Sequence, residues 1–146
     1  MSEKNCTFCE IANGNIPARI IGQNDNAVAF LDAFPLSLGH TLIVPKRHYS
    51  KVQDMNMEDS AGTFDLLRVV TAAVEKAAGV KASTIAIHNG PEAGQVILHV
   101  HVHIIPRTAG DGAGPVHSMF KNRPRFSSKE MDSMLDKMKR MFDLKQ

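Results

Sequence analysis

Three histidines at alternate positions constrain this chain more than any other feature of its sequence. They lie in the segment 99–106, which reads HVHVHIIP. Side chains of a β-strand alternate between its two faces, so the three imidazoles are expected in one row, with Val100, Val102 and Ile104 facing a core. At neutral pH, imidazole serves as a metal ligand, a nucleophile or an acid–base group. The segment therefore predicts a strand that carries a chemical site.

Length and composition restrict the kind of protein that can carry this site. The chain has 146 residues, which suits one domain with a substantial core. A net charge of +2 is too small to predict binding to nucleic acid or to a membrane surface. No apolar run is long enough for a membrane span or a signal peptide. A cytoplasmic protein, or a nuclear one, is therefore expected.

Two mechanisms could use such a row of histidines. Three imidazoles and a water molecule could form a zinc hydrolase centre, although same-face positions along a strand are about 6.6 Å apart. The glycines of the preceding loop, Gly90 and Gly94, instead favour a backbone conformation that binds anions. This loop favours a covalent mechanism, in which His101 attacks phosphorus and water then cleaves the phosphohistidine. His99 and His103 would orient His101, position the phosphate or transfer a proton.

Apolar and turn patterns along the rest of the chain predict five strands and three helices. A short helix is expected at residues 6–13, and the strands at 19–23, 27–32, 40–44, 83–88 and 98–105. A long helix should begin after the N-cap residue Asn56 and end at Gly79. Its apolar stripe, expected to pack on the sheet, comprises Phe64, Leu67, Val70, Val74 and Ala77 or Ala78. Ser127 and Glu130 form a capping box that opens a final helix to about residue 142, with a methionine-rich stripe expected to pack on the domain or on a partner subunit.

Four stretches of the chain together resemble the histidine-triad (HIT) superfamily. They are 90–95 (GPEAGQ), 99–107 (HVHVHIIPR), 30–32 (FLD) and 39–48 (GHTLIVPKRH). The resemblance covers roughly residues 6–111 and leaves the tail after them without a family assignment. Within the predicted single domain (1–146), residues 108–146 form a C-terminal loop and helix. It implies an α+β fold with a five-strand antiparallel sheet, commonly dimerised into a ten-strand sheet. It also implies a purine nucleotide ligand, commonly of the adenosine type.

The same resemblance implies a role for individual residues. His101 would be the nucleophile, supported by His99, with His103 in contact with the phosphate or the leaving group and His40 completing the set. Asp32 would bind the ribose hydroxyls, for which a carboxylate is a suitable acceptor. The remaining nucleotide contacts, from base pocket to phosphate, would come from Phe8, Ile11, Phe30, Ala33, Leu42, His88, Gly94, Gln95 and Val96.

Relatives of the superfamily also suggest a metal. Some bind structural zinc through a Cys-x-x-Cys pair and two histidines, and the corresponding residues here are Cys6, Cys9, His48 and His99. Two thiolates and two imidazoles would satisfy tetrahedral zinc. The alternative is that the cysteines are ordinary free thiols. No organic cofactor is expected.

These observations predict a nucleotide hydrolase that cleaves nucleoside 5'-phosphoramidates or related phosphoanhydrides through a phosphohistidine. Two features leave the branch of the superfamily open. Val96 replaces a hydroxyl residue that many relatives carry, and the chain contains no tryptophan, whereas the phosphoramidase branch has a C-terminal tryptophan segment. A dinucleoside polyphosphate hydrolase and a nucleotide-binding adaptor with incidental turnover are the alternatives.

Overall fold

The five strands of the computed structural model form one antiparallel sheet. The structure describes residues 5–144. The strands are β1 (Ile20–Gln23), β2 (Ala27–Leu31), β3 (Thr41–Pro45), β4 (Ala82–Ala86) and β5 (Val102–Arg107). Their order across the sheet is β1-β2-β3-β5-β4, and every neighbouring pair is antiparallel. The predicted α+β class with a five-strand antiparallel sheet is confirmed.

Three α-helices accompany the sheet in the part of the chain that the structure describes. They are α1 (Thr7–Ala12), α2 (Met57–Ala78) and α3 (Ser128–Asp143), with short 3₁₀ turns at Val52–Asp54, Pro91–Ala93 and Val116–Ser118. The predicted capping box opens α3, since Ser127 and Glu130 bond reciprocally. Within residues 5–144, none of these helices has the length and apolarity that crossing a membrane requires.

The long helix α2 has the predicted ends but a rotated buried face. The Oδ1 atom of Asn56 accepts the Asp59 N–H over 2.7 Å, and Gly79 ends the helix with a φ of 68°. Phe64, predicted in the buried stripe, is 64% exposed. The buried face instead includes Thr63, since neighbouring helix positions are about 100° apart and the apolar spacing fits both registers. The full buried set is Asp59, Thr63, Leu66, Leu67, Val70 and Val74.

The centre of the sheet is covered on both faces. On one face, α2 packs against residues of β2, β3 and β5 such as Ala29, Ile43 and Ile104. On the other face, α1 and the residues around it pack against Phe30 and Leu42. This double cover explains why β3 is buried along its whole length. The histidine site lies on the α1 face.

The last strand begins later than the sequence predicts. Regular pairing of β5 starts at Val102, opposite Ile43, so His99 and His101 precede the strand that was expected to begin at residue 98. Pro45 has no N–H for a continued ladder, and the Val100 N–H bonds instead to the carbonyl of Tyr49 over 2.7 Å. Alternation nevertheless persists, because Val102 and Ile104 pack in the cluster under α2, while the rings of His99 and His101 contact Phe8 on the α1 face.

A polar network ties the segment after β3 to the start of α2. The Tyr49 hydroxyl donates to Oδ2 of Asp59 over 2.6 Å, and the Asn26 amide donates to Oδ1 over 3.0 Å. Asp59 is 7% exposed. The hydrogen bond from Tyr49 is the main reason why the pKa of Asp59 is lowered. The carboxylate therefore stays ionised, and it anchors the two segments to each other.

The chain divides into two compact units between Asp111 and Gly112. The first contains the sheet, α1 and α2, and the second contains α3. In the second unit the apolar stripe of α3 is 48–64% exposed (Met131, Met134, Leu135, Met138, Met141 and Phe142). The single-domain organisation and the packing partner of this stripe stay predictions.

Candidate active site

A cavity of about 570 Å³ opens on the α1 face of the sheet. Nine residues predicted to bind nucleotide line it: Phe8, Ile11, Phe30, Asp32, Ala33, Leu42, His88, Gly94 and Val96. His101 and His103 also line it. A larger groove of about 750 Å³ runs along α3, but no histidine or cysteine lines that groove. The cavity beside the histidines is therefore the candidate active site.

Sequence reasoning missed other parts of the cavity wall. Pro17, Ala18 and Arg19, between α1 and β1, line the cavity, as do Thr7, Leu31, Phe34 and Ile97. Thr7 begins α1, Leu31 ends β2 within the stretch 30–32, and the others lie in connecting segments that carry no motif. Only the folded chain brings them to one cavity.

His101 is held in one orientation and one tautomer. Its Nδ1 lies 2.7 Å from the carbonyl oxygen of His99, and a carbonyl only accepts, so the ring proton is on Nδ1. The lone pair of the neutral ring is therefore on Nε2. Burial lowers the pKa of His101, and Phe8 packs against its ring at 5.1 Å between ring centres. The ring is neutral at pH 7, which is the form that can act as a nucleophile.

His40 and His103 form a directional chain of hydrogen bonds. The Leu36 N–H donates to Nδ1 of His40 over 3.0 Å, so the ring proton of neutral His40 is on Nε2. Nε2 of His40 lies 2.9 Å from Nδ1 of His103 and donates to it, which places the ring proton of His103 on Nε2. That Nε2 is buried and has no hydrogen-bond partner within residues 5–144. The Nε2–H of His103, which lines the cavity, can therefore donate a hydrogen bond to a ligand.

Burial also determines the charge states of His40 and His103. It lowers the pKa of His40, against the opposing effect of Asp32. It lowers the pKa of His103 to about 4, and the neighbouring His101 and His40 add to the effect. Both rings are therefore neutral at pH 7, and His103 offers an N–H group without a permanent positive charge.

Asp32 is the carboxylate that borders the cavity. Its Oδ1 accepts the Phe34 N–H over 2.8 Å, and its Oδ2 lies 3.6 Å from Nε2 of His40. The side chain is 18% exposed. One oxygen therefore holds the following loop while the other keeps acceptor capacity for a ligand.

The glycine-containing loop before the histidines is held by hydrogen bonds of its own residues and of Ser50. The Gln95 side chain accepts the Gly90 N–H and donates to the Ser50 carbonyl, both over 2.8 Å. The N–H groups of residues 93–95 donate to carbonyls at positions 90 and 91. These amides are therefore engaged within the loop and do not form the expected anion nest. Gln95 does not line the cavity, and its contact with phosphate stays a prediction.

The four predicted zinc ligands come together although they are distant in sequence. Nδ1 of His99 lies 3.4 Å from Sγ of both Cys6 and Cys9, and Nδ1 of His48 lies 3.3 Å from Sγ of Cys9. All four ligand atoms are within 4.8 Å of one another. Nε2 of His99 bonds to the Pro45 carbonyl over 2.8 Å, which leaves the lone pair of His99 on Nδ1, facing the thiols. Two sulfurs and two ring nitrogens fit a closed tetrahedral zinc shell.

Comparison with known proteins assigns the family of this chain. The HIT domain family matches residues 13–110. The chain belongs to the HIT family. An adenosine 5'-monophosphoramidase of Schizosaccharomyces pombe is 38% identical over 102 residues, covering 70% of this chain and 74% of that protein. An adenylylsulfatase of Arabidopsis thaliana is 37% identical over 109 residues, 75% of this chain but 55% of that longer protein.

A solved HIT structure is also similar over nearly the whole chain. A zinc-bound histidine triad family protein from Mycobacterium smegmatis superposes with a TM-score of 0.69 and 27% identity. The match covers 99% of this chain and 100% of the other. The structural comparison thus agrees with membership of the HIT family, and one solved member of similar fold contains bound zinc.

Proposed function

We propose that this HIT protein hydrolyses nucleoside 5'-phosphoramidates, or related phosphoanhydrides such as adenylyl sulfate, to a nucleoside monophosphate through a phosphohistidine on His101. One observation carries the proposal. The His101 Nδ1–H is held by the His99 carbonyl at 2.7 Å, so the unprotonated Nε2 is the ring atom left to attack in a cavity of about 570 Å³. The names of the two enzymatic relatives support the substrate class.

The chemistry follows from the two histidines that face the cavity. Nε2 of His101 forms a bond to phosphorus as the bond to the leaving group breaks, and the leaving group departs with the electron pair and takes up a proton. The Nε2–H of His103 bonds to the leaving atom or to a phosphate oxygen in this step. Water then attacks phosphorus and releases a proton, the bond to His101 breaks, and the neutral ring is restored.

The nucleoside would occupy the apolar part of the cavity. Phe8, Ile11, Phe30 and Leu42 provide apolar surface for a purine ring, and Asp32 provides the acceptor for ribose hydroxyls. His88 would contact the phosphate end, since its ring is 5.5 Å from that of His103, and Gly94 and Val96 would provide further contacts from the cavity wall. These assignments are part of the proposal.

We further propose that Cys6, Cys9, His48 and His99 bind structural zinc. Zinc would supply a tether between the N-terminal segment and the sheet. Within this group His99 binds through Nδ1, while its carbonyl remains the acceptor for His101. The reaction itself needs only this chain's histidines.

The two edge strands of the sheet could pair with a second copy of the chain. The sheet has edges at β1 and β4, and edge strands offer unpaired backbone groups to a second chain. We propose a homodimer with a continuous ten-strand sheet in the cytoplasm, where Cys6 and Cys9, which form no disulfide, would stay reduced. Sedimentation at micromolar concentration tests the dimer, and a monomer mass would refute it.

The decisive test of the hydrolase proposal replaces the nucleophile. His101→Asn should lower kcat for adenosine 5'-phosphoramidate by about a thousandfold or more and leave binding of adenosine monophosphate largely intact. His117→Asn, an exposed histidine of the second unit, is the matched control and should behave as wild type. A panel with adenylyl sulfate, diadenosine polyphosphates and guanosine analogues defines the preferred substrate.

Two results would overturn the proposal. His101→Asn protein that keeps more than about a tenth of wild-type kcat does not use a covalent His101 step. Wild-type protein that binds adenosine monophosphate but turns over no member of the panel is a binding adaptor. Rapid acid-free quenching should also trap nucleotide on wild-type His101 and none on the variant.

A further inference from the structure

The hydrogen-bond chain through His40 and His103 has a direction, and a peptide group at one end determines it. We propose that the N–H of Leu36 is a positioning group that fixes the tautomers of His40 and His103 and so keeps a proton on Nε2 of His103. The effect of this proton on catalysis rests on the proposed hydrolase function. The tautomers of the two rings do not depend on that function.

The bond between the two rings does not select a direction by itself. In the observed arrangement His40 donates from Nε2 to Nδ1 of His103 over 2.9 Å. In the reversed arrangement His103 would donate from Nδ1, and a bare lone pair on its Nε2 would face the substrate. Each arrangement satisfies the same pair of atoms with one hydrogen bond. The selection must therefore come from groups outside the pair.

Leu36 supplies that selection because a peptide N–H can only donate. The Leu36 N–H lies 3.0 Å from Nδ1 of His40. The reversed arrangement needs a proton on this Nδ1, so two N–H donors would point at each other. Asp32 acts in the same sense more weakly, since its Oδ2 is 3.6 Å from Nε2 of His40 and favours a proton there. His88 and His101 flank His103 but make no hydrogen bond to it within residues 5–144.

The loop that presents this N–H is anchored at several points. Asp32 Oδ1 accepts from Phe34, the His40 N–H donates to the Ser37 carbonyl over 3.0 Å, and the Ser37 hydroxyl donates to the Pro106 carbonyl over 2.9 Å. The Leu36 side chain is 76% exposed. The contribution of Leu36 therefore comes from its backbone, and proline is the natural residue that would abolish it.

The direction of the chain should matter most for substrates with a basic leaving atom. An amine leaving from a phosphoramidate gains from a hydrogen bond donated by His103 Nε2 and is opposed by a lone pair. Sulfate leaving from adenylyl sulfate is a weak base and depends little on such a donor. A loss of turnover that is confined to the phosphoramidate therefore distinguishes the loss of this donor from general damage to the cavity.

The test removes one N–H and leaves the side chains unchanged. Replacing Leu36 with its α-hydroxy acid converts the amide to an ester, and Leu36→Pro is a second variant that also lacks the N–H. The same ester at Leu38 is the matched control, because the Leu38 N–H donates no hydrogen bond within the described residues. Nitrogen-15 spectra of the ring atoms report the tautomers of His40 and His103 in the full-length protein without substrate.

The expected result is a shift of the tautomer ratio by about fivefold toward Nδ1–H in His40, as for the loss of one net hydrogen bond. Turnover of adenosine 5'-phosphoramidate should fall in proportion to the fraction of His103 that loses its Nε2 proton, by at most about fivefold, and turnover of adenylyl sulfate should fall by a smaller factor. The Leu38 ester should match wild type in spectra and rates.

Two outcomes would overturn the inference. Unchanged ring spectra in both Leu36 variants would show that another group sets the tautomers. A shifted ratio with equal losses for both substrates would show that the proton on His103 does not serve the leaving group. If wild-type protein hydrolyses neither substrate, the proposed function fails, and the spectra alone still decide whether Leu36 sets the tautomers.

Discussion

Asp32→Asn should weaken ribonucleotide binding by an amount that the geometry of the carboxylate defines. Oδ1 already accepts the Phe34 N–H at 2.8 Å, whereas Oδ2 has only the more distant His40 at 3.6 Å. An asparagine side chain can keep the first bond but replaces the second oxygen with an NH₂ group. The variant therefore loses at least one charged acceptor for a ribose hydroxyl and preserves the loop. Such a hydrogen bond contributes about 1.5–3 kcal/mol, or about 10- to 150-fold in Kd.

Calorimetric titration with three nucleotides checks this value. Adenosine monophosphate should show the full loss, its 2'-deoxy analogue a smaller one, and its 2',3'-dideoxy analogue almost none, because the hydroxyl partners have been removed already. Equal losses for all three ligands would refute the reasoning and assign Asp32 to the scaffold. Asp32→Ala serves as a comparison that also removes the Phe34 bond, and it should lower the free energy of unfolding more than Asp32→Asn.

Three further predictions follow from other contacts. Turnover should be lost as pH falls through the pKa of His101, and because burial lowers that pKa, the midpoint of the kcat/KM profile should lie below 6.5; a midpoint above it would contradict the assignment. Protein with Cys6→Ser and Cys9→Ser should contain no zinc by elemental analysis and melt at a lower temperature, whereas undiminished zinc would place the metal elsewhere. Tyr49→Phe should lower the free energy of unfolding in urea by about 1.5–3 kcal/mol, because buried Asp59 loses its 2.6 Å bond; a change below about 0.5 kcal/mol would show that the bond adds little.

Much of the fold is readable from local patterns. The Asn56 cap, the Gly79 stop and the capping box at Ser127 each depend on residues a few positions apart, and all occur as predicted. The alternation of valines and histidines likewise places the imidazoles opposite the core. These features follow from backbone geometry and short-range hydrogen bonding, which act within a few residues. The apolar periodicity predicted the buried face of α2 less exactly. Two neighbouring registers fit the apolar spacing, and only packing on the sheet excluded Phe64 from the buried face.

The chemical state of the site depends on contacts between distant parts of the chain. Residue types indicate that His103 is reactive, but the position of its proton is determined by the Leu36 N–H, through His40. The family resemblance implies that Gln95 contacts phosphate, and the folded chain adds that its side chain accepts from the Gly90 N–H and donates to the Ser50 carbonyl. The sequence by itself determined which groups this protein carries and on which face of the sheet they lie. The tertiary structure decided which of their atoms are engaged and which are left for a ligand, because hydrogen bonds between segments many residues apart form only when the chain has folded.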